Sequence, residues 1–427
     1  MIVEPGASQE CASVRQVYSD KAMGQQCTPV PGGTVTTPKG FRAGATYAGL
    51  KTYAEDKLDL CILSSETPCA VAGVFTRNSI VSPSVELDKE RLARRRAQAV
   101  IVNSGCANAC VGPQGMIDAK EMATLAAGVL GIDEEDVLVA STGIIGVELP
   151  MAMIRSAVER IDLAPDGGGL FARAIMTTDS RPKEAAVTLE VDGKPCVIGA
   201  AVKGVGMIHP TMATLLCFIT TDAAVEPGFL QTALKSAADL SFNMVTIDGD
   251  SSTNDTALLL ANGLAGNPPV QAESPEAEAF TDALTSLCVS LAKEVARDGE
   301  GATKLLEVTV EGAVSVEDAR LAARTVASSP LVKTAIHGAD PNWGRVMMAL
   351  GRSGAALDEG RLALYLNEVC VFDEGGPVPF FHEAAKVSMQ EPEVRIRANL
   401  RLGSHEATAW GCDLTEKYVR FNSEYTT

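Results

Sequence analysis

Residues 203–223 read KGVGMIHPTMATLLCFITTDA, and the fold turns on how this stretch is divided. A glycine-bearing segment with Pro210 leads into Ala213-Thr214. From Thr214 the chain continues as TLLCFITTDA (214–223), a nearly unbroken run of apolar and β-forming residues. A run without alternation predicts a strand buried on both faces, which needs a layer of structure on each side. The flanking sequence supplies such layers. Strand patterns lie in KLDLCILSS (57–65), AQAVIVNSG (97–105), VLVASTGIIG (137–146) and KLLEVTVEGA (304–313). AVTLEV (186–191) and PCVIGAAVKG (195–204) predict a hairpin around Asp192-Gly193. Helical periodicity appears in AKEMATLAAGVLG (119–131), closed by Gly131, in MAMIRSAVERI (151–161), and in the stretches 227–242 and 275–299. Strands alternating with helices predict an α/β (α+β) protein of stacked mixed sheets flanked by helices.

Composition narrows the function classes. The 427 residues are 46% hydrophobic and 21% charged, ordinary for a globular chain, with only 4% aromatics. A formal charge of −18 disfavours nucleic acid, which is bound through a basic footprint, and equally disfavours an anionic membrane surface. It does not forbid an anionic small molecule, because a few local cations and N–H groups set a pocket's potential. Eleven cysteines match no disulfide framework, zinc spacing or C-x-x-C motif, and the four histidines have no triad or zinc spacing. Reduced cysteines point to the cytosol. The first thirty residues lack the basic start and apolar core of a secretory signal. The chain is expected to divide into a polar extension (1–32), a main α/β domain (33–314) and a smaller C-terminal α/β domain (315–427).

Thr214 has two readings. It is a β-branched residue opening a strand, as many are. It is also a hydroxyl able to attack its own preceding carbonyl, shift the acyl group from N to O and leave a free α-amine on hydrolysis. That amine, with an unperturbed pKa of about 7.7–8, would be the nearest base to the hydroxyl. Local composition alone favours the first, and nothing within the segment itself reverses that preference.

The wider sequence does. Lys203, Gly204, Gly206, Met207, Pro210, Met212, Ala213 and Thr214 match the KG-x-GM-x-x-P-x-MAT cleavage motif of the ornithine acetyltransferase family. The resemblance continues in SFNMVTIDGDSSTNDT (241–256), ARDGEGATK (296–304), HGADPNWGR (337–345) and AWGCDLTEKYV (409–419), covering nearly everything from Gly33 onward. It departs at Cys106, where the family often has Asn, and at Thr426, where it has Arg.

This resemblance implies the family's self-processing, N-terminal-nucleophile aminopeptidase-like fold and cleavage between Ala213 and Thr214. The fragments 1–213 and 214–427 would stay associated as α2β2 or a larger assembly. It implies a cytoplasmic acyltransferase of arginine biosynthesis, a glutamate N-acetyltransferase. Thr214 would take the acetyl group of N2-acetyl-L-ornithine and pass it to L-glutamate in a ping-pong cycle, with acetyl-CoA as a possible second donor. Thr142 and Gly143 match the oxyanion hole, and Thr177, Lys203, Thr214, Glu300, Asn422 and Thr427 the substrate contacts. No metal, nucleotide or flavin cofactor is implied. A self-processing amidohydrolase or aminopeptidase, with water as acceptor, is the alternative. DGDSSTND (248–255) is expected to form a hydrogen-bonded turn bracing the site, and Asp340, Asn342, Trp343 and Arg345 either line the pocket or mark a folding determinant.

Overall fold

A computed structural model describes residues 27–51, 57–209 and 215–424. Thr214, Ala213 and Thr427 lie outside the described residues, as does the expected extension up to residue 26.

The first sheet contains β1 (Cys27–Pro29), β2 (Phe41–Thr46), β3 (Leu60–Phe75), β4 (Arg96–Cys106), β5 (Val137–Ile144), β6 (Lys183–Val191), β7 (Lys194–Lys203), β8 (Leu216–Thr221) and β9 (Thr256–Ala261). Their order is β1-β6-β7-β8-β9-β3-β4-β5, with β2 beside β3. The 16-residue β3 is the seam. Its first half pairs with β2 and its second half with β9, while β4 runs antiparallel along it across an irregularity between Ser64 and Cys69. Sequence alternation marked only the first part of this strand, because the rest passes through Glu66, Thr67 and Pro68 and continues as a mixture of buried and half-buried small residues without a regular polar face. The β6–β7 hairpin turns at Asp192 and Gly193, both with positive φ, as the sequence predicts.

β8 confirms a strand buried on both faces. Cys217 and Ile219 pack into one apolar cluster and Leu216 and Phe218 into another, all at most 2% exposed. Helices α1 (Pro83–Arg91), α2 (Gln114–Leu130), α3 (Met151–Val158), α4 (Gly168–Ala174), α5 (Pro227–Leu240) and α6 (Ala277–Arg297) supply the covering layers. On α6, Phe280, Leu284, Leu287, Leu291 and Val295 recur at helical spacing and are buried, about 1.5–3 kcal/mol for each such side chain. Helix ends follow local chemistry. The Glu226 carboxylate accepts from Phe229 N at 2.8 Å ahead of Pro227, and Gly131 closes α2 at φ +68°.

The second sheet contains β10 (Leu305–Ala313), β11 (Ala363–Leu366), β12 (Val369–Asp373), β13 (Gly376–Pro377), β14 (Glu393–Asn399) and β15 (His405–Cys412), in the order β13-β12-β11-β14-β10-β15. Around it lie α7 (Val316–Ala327), α8 (Pro330–His337), α9 (Trp343–Gly351), α10 (His382–Ser388) and α11 (Glu416–Glu424). Two expected boundaries shift. A division after residue 314 would part β10 from both its partners, β14 and β15, which arrive about 80 and 100 residues later in the chain. Residues 27–29, assigned to the extension, form an edge strand on β6. Neither pairing is visible to a reading of local pattern. One apolar cluster runs from β6–β9 through α5 and α6 to β10, β14 and α7, so the two sheets share a core.

Candidate active site

A cavity of about 100 Å³ opens where the ends of β5 and β7 meet the loops after α6 and after Asp248. Thr142 and Gly143 form one wall, at the end of β5. There β5 runs parallel to β4, and the register slips between Gly105 and Cys106. The slip requires glycine twice: Gly105 has φ +120° and Gly143 φ +131°. A Cβ on Gly143 would lie 2.2 Å from the Gly105 carbonyl carbon, so no other residue allows the two backbones to approach this closely.

The turn after Asp248 braces that wall. Asn254 Nδ2 donates to the carbonyls of Ala107 (2.5 Å) and Ser141 (2.9 Å), tying the segment after β4 to the end of β5. Thr253 Oγ1 donates to Asn254 Oδ1, and Ser252 Oγ accepts from Asn254 N. Ser252, Thr253 and Asn254 themselves line the cavity. The expected bracing turn is therefore present, with Asn254 as its working residue.

The opposite wall carries charge. Lys203 ends β7, is 6% exposed, and donates through Nζ to Thr177 Oγ1 at 3.1 Å. Burial pushes its ammonium pKa below the ordinary lysine range, and the carboxylates of Asp179, Asp255 and Glu300 offset that only in part. Glu300 follows α6. Its carboxylate accepts from Thr178 Oγ1 and from Asn422 Nδ2 of α11, both at 2.9 Å, and its main-chain N–H donates to Val205 O. The carboxylate lies directly over Gly206, where a Cβ would come 2.7 Å from its carbon and both oxygens. Gly206 and Met207 line the cavity beside it.

The site therefore joins two N–H or O–H donors at a strand end to a buried cation and a fixed carboxylate. That set suits an amino acid's two charged ends beside a carbonyl that becomes an oxyanion. A model of the ArgJ family matches residues 42–427. The chain belongs to the ArgJ family. It is 51% identical over 398 residues to the arginine biosynthesis bifunctional protein ArgJ of Dehalococcoides mccartyi, spanning 93% of this chain and 98% of that one. The protein of the same name from Symbiobacterium thermophilum is 53% identical over 397 residues, 92% and 99% of the two chains. Among solved structures, the ArgJ crystal structure from Bacillus halodurans is 44% identical, with a TM-score of 0.48 over 49% of this chain and 98% of its own. An ornithine acetyltransferase from Mycobacterium tuberculosis, complexed with ornithine, is 36% identical, with a TM-score of 0.40 over 43% and 98%. This ArgJ-family chain is accordingly a bifunctional acetyltransferase of arginine biosynthesis.

Six residues singled out from sequence meet at the cavity: Thr142, Gly143, Thr177, Lys203, Glu300 and Asn422. Ala107, Ile145, Thr178, Ser252, Thr253 and Asn254 join them without having been singled out individually. Of these, the density of hydroxyls and amides in DGDSSTND was a signal; Ala107 and Ile145 gave none. HGADPNWGR does not reach the cavity. Trp343 packs on Phe372 (5.6 Å between rings), and Arg345 donates to Leu331 O at 2.9 Å, so this segment ties helices to the second sheet. Cys106 is buried and Cys110 exposed, and no group of three or more metal-ligating side chains occurs among the described residues. No helix among them is long and apolar enough to cross a membrane.

Proposed function

We propose that this chain transfers acetyl from N2-acetyl-L-ornithine to L-glutamate through Thr214, after cutting itself between Ala213 and Thr214. The observation carrying the reading is the convergence of Thr142, Gly143, Lys203 and Glu300 on one cavity, which Gly206 and Met207 of the cleavage motif also line.

Cleavage leaves Thr214 with a free α-amine beside its hydroxyl. The amine takes the hydroxyl proton as Oγ attacks the acetyl carbonyl of acetylornithine. Negative charge moves to the carbonyl oxygen, where the Thr142 hydroxyl and the Gly143 N–H are the donors. Collapse breaks the C–N bond, the ammonium returns its proton to the departing nitrogen, and ornithine leaves. Glutamate then enters, its α-amine attacks the acetyl-threonine ester, and the Thr214 hydroxyl is restored. Lys203 pairs with the substrate carboxylate and Glu300 with an ammonium. Asn422 keeps the Glu300 carboxylate turned into the cavity. Thr177 anchors the Lys203 ammonium, and Thr427 is the remaining substrate contact that the family motif implies.

The bifunctional name of its relatives supports acetyl-CoA as a second donor to the same threonine. The fragments 1–213 and 214–427 remain together because β7 and β8 are hydrogen-bonded across the cut from Ile198 to Leu216. The assembly is α2β2 or larger, and it works in the cytoplasm.

Brief exposure to acetylornithine, followed by mass analysis, tests the reaction. The fragment beginning at Thr214 gains one acetyl group and loses it when glutamate is added. Loss of the adduct to water at the same rate, with free acetate instead of acetylglutamate, would make the protein a hydrolase.

A further inference from the structure

Behind the charged wall lies an ion array that the acetyl-transfer scheme does not use. Lys183 Nζ is 2.7 Å from Asp179 Oδ1 and 2.6 Å from Asp298 Oδ2, with side chains 1%, 0% and 7% exposed. Such arrays stabilise a fold little more than apolar residues of the same volume, because the desolvation of each charge offsets their attraction. Its hydrogen bonds show what it holds. Asp179 accepts from Gly204 N (2.9 Å), next to Lys203, and from Thr177 N (3.1 Å). Asp298 accepts from Ser180 N at 3.1 Å and from the Ser180 hydroxyl, and stands two residues before Glu300. One buried lysine therefore ties together the three segments that carry Thr177, Lys203 and Glu300.

We propose that the Asp179–Lys183–Asp298 array is the positioning device that sets Lys203 against Glu300, and so governs recognition of the amino acid's two charged ends. The inference rests on the functional reading above and deepens it. The array carries a net single negative charge behind the Lys203 ammonium. Among the described residues, Lys203 feels Asp179, Asp255 and Glu300 as stabilising charges and Lys183 and Lys51 as opposing ones. Asp179 is the strongest of the stabilising group. Burial alone would raise the Asp179 pKa, but Lys183 and Lys203 outweigh it and hold this carboxyl below its usual range, so it is charged throughout the working pH. Removing that charge makes Lys203 release its proton at lower pH.

The test is D179N in the mature, full-length enzyme, with D298N as a second, milder variant. Steady-state kinetics against pH are read beside calorimetric binding of ornithine. The expected result is a KM for acetylornithine raised at least ~10-fold with kcat within ~3-fold, ornithine binding weakened in parallel. The alkaline limb of kcat/KM moves down by about one pH unit or more. D298N moves both quantities the same way by less, and serves if D179N does not accumulate. An unshifted alkaline limb, or a loss confined to kcat, overturns the proposal. If the wild type binds ornithine but transfers no acetyl group, the reaction assigned above fails, while the binding arm still decides the role of the array.

Discussion

Replacing Gly206 with Ala gives a narrow test of how the cavity is built. Gly206 is not in a positive-φ conformation, so its backbone accepts a side chain. What a methyl group meets is the Glu300 carboxylate, 2.7 Å from the ideal Cβ at all three atoms. Ordinary carbon contact begins near ~3.5 Å, so the carboxylate must retreat by about 0.8 Å. Its bonds to Thr178 Oγ1 and Asn422 Nδ2, both 2.9 Å, then stretch beyond hydrogen-bonding range. A hydrogen bond to a charged group contributes ~1.5–3 kcal/mol, and a misplacement near ~1 Å costs about 10²-fold where geometry matters. If Glu300 receives the substrate ammonium, G206A raises the KM for acetylornithine ~10–100-fold. The site lies in an open cavity, so the thermal midpoint should move by less than ~3 °C. Initial-rate kinetics and a thermal melt on the same preparation suffice. A KM within ~2-fold of wild type, with the fold intact, would refute the assignment of Glu300 as a fixed binding carboxylate.

Two further substitutions probe the other wall. T142A removes one donor to the oxyanion and should lower kcat ~10²–10³-fold with little change in KM, measured by acetylglutamate formation; an unchanged kcat would remove Thr142 from the chemistry. N254A leaves the buried carbonyls of Ala107 and Ser141 without their shared donor. A loss of ~2–4 kcal/mol in urea unfolding is expected, together with a fall in kcat as the Thr142-Gly143 corner loosens. Unfolding at the wild-type midpoint would mean water satisfies those carbonyls and the brace is dispensable.

What the sequence discloses depends on whether the signal is local. β8 could be read because its apolar residues are contiguous, and the β6–β7 turn because Asp192-Gly193 carries its own conformational preference. The extent of β3 could not, since it changes partners halfway along and its burial pattern changes with them, past the exposed Glu66 and Pro68. β10 was set in the wrong company because its partners are distant in the chain. The site divides the same way. Motif matching brought Thr142, Lys203 and Glu300 forward and included Gly206, but not the reason for Gly206: a carboxylate 94 residues further on occupies the place of its side chain. The Asp179–Lys183–Asp298 array was invisible for the same cause, two acids and a lysine spread over 120 positions looking like ordinary surface charge.

The central claim is that the chain is cut before Thr214 and that this threonine then carries acetyl. Intact-mass analysis of purified wild type and T214A, under denaturing conditions and again as the native assembly, tests it most directly. The account predicts two pieces of 213 and 214 residues in the wild type, held together in the native measurement, and one uncut 427-residue chain without transferase activity in T214A. A wild-type protein that remains a single chain while forming acetylglutamate at full rate would contradict it.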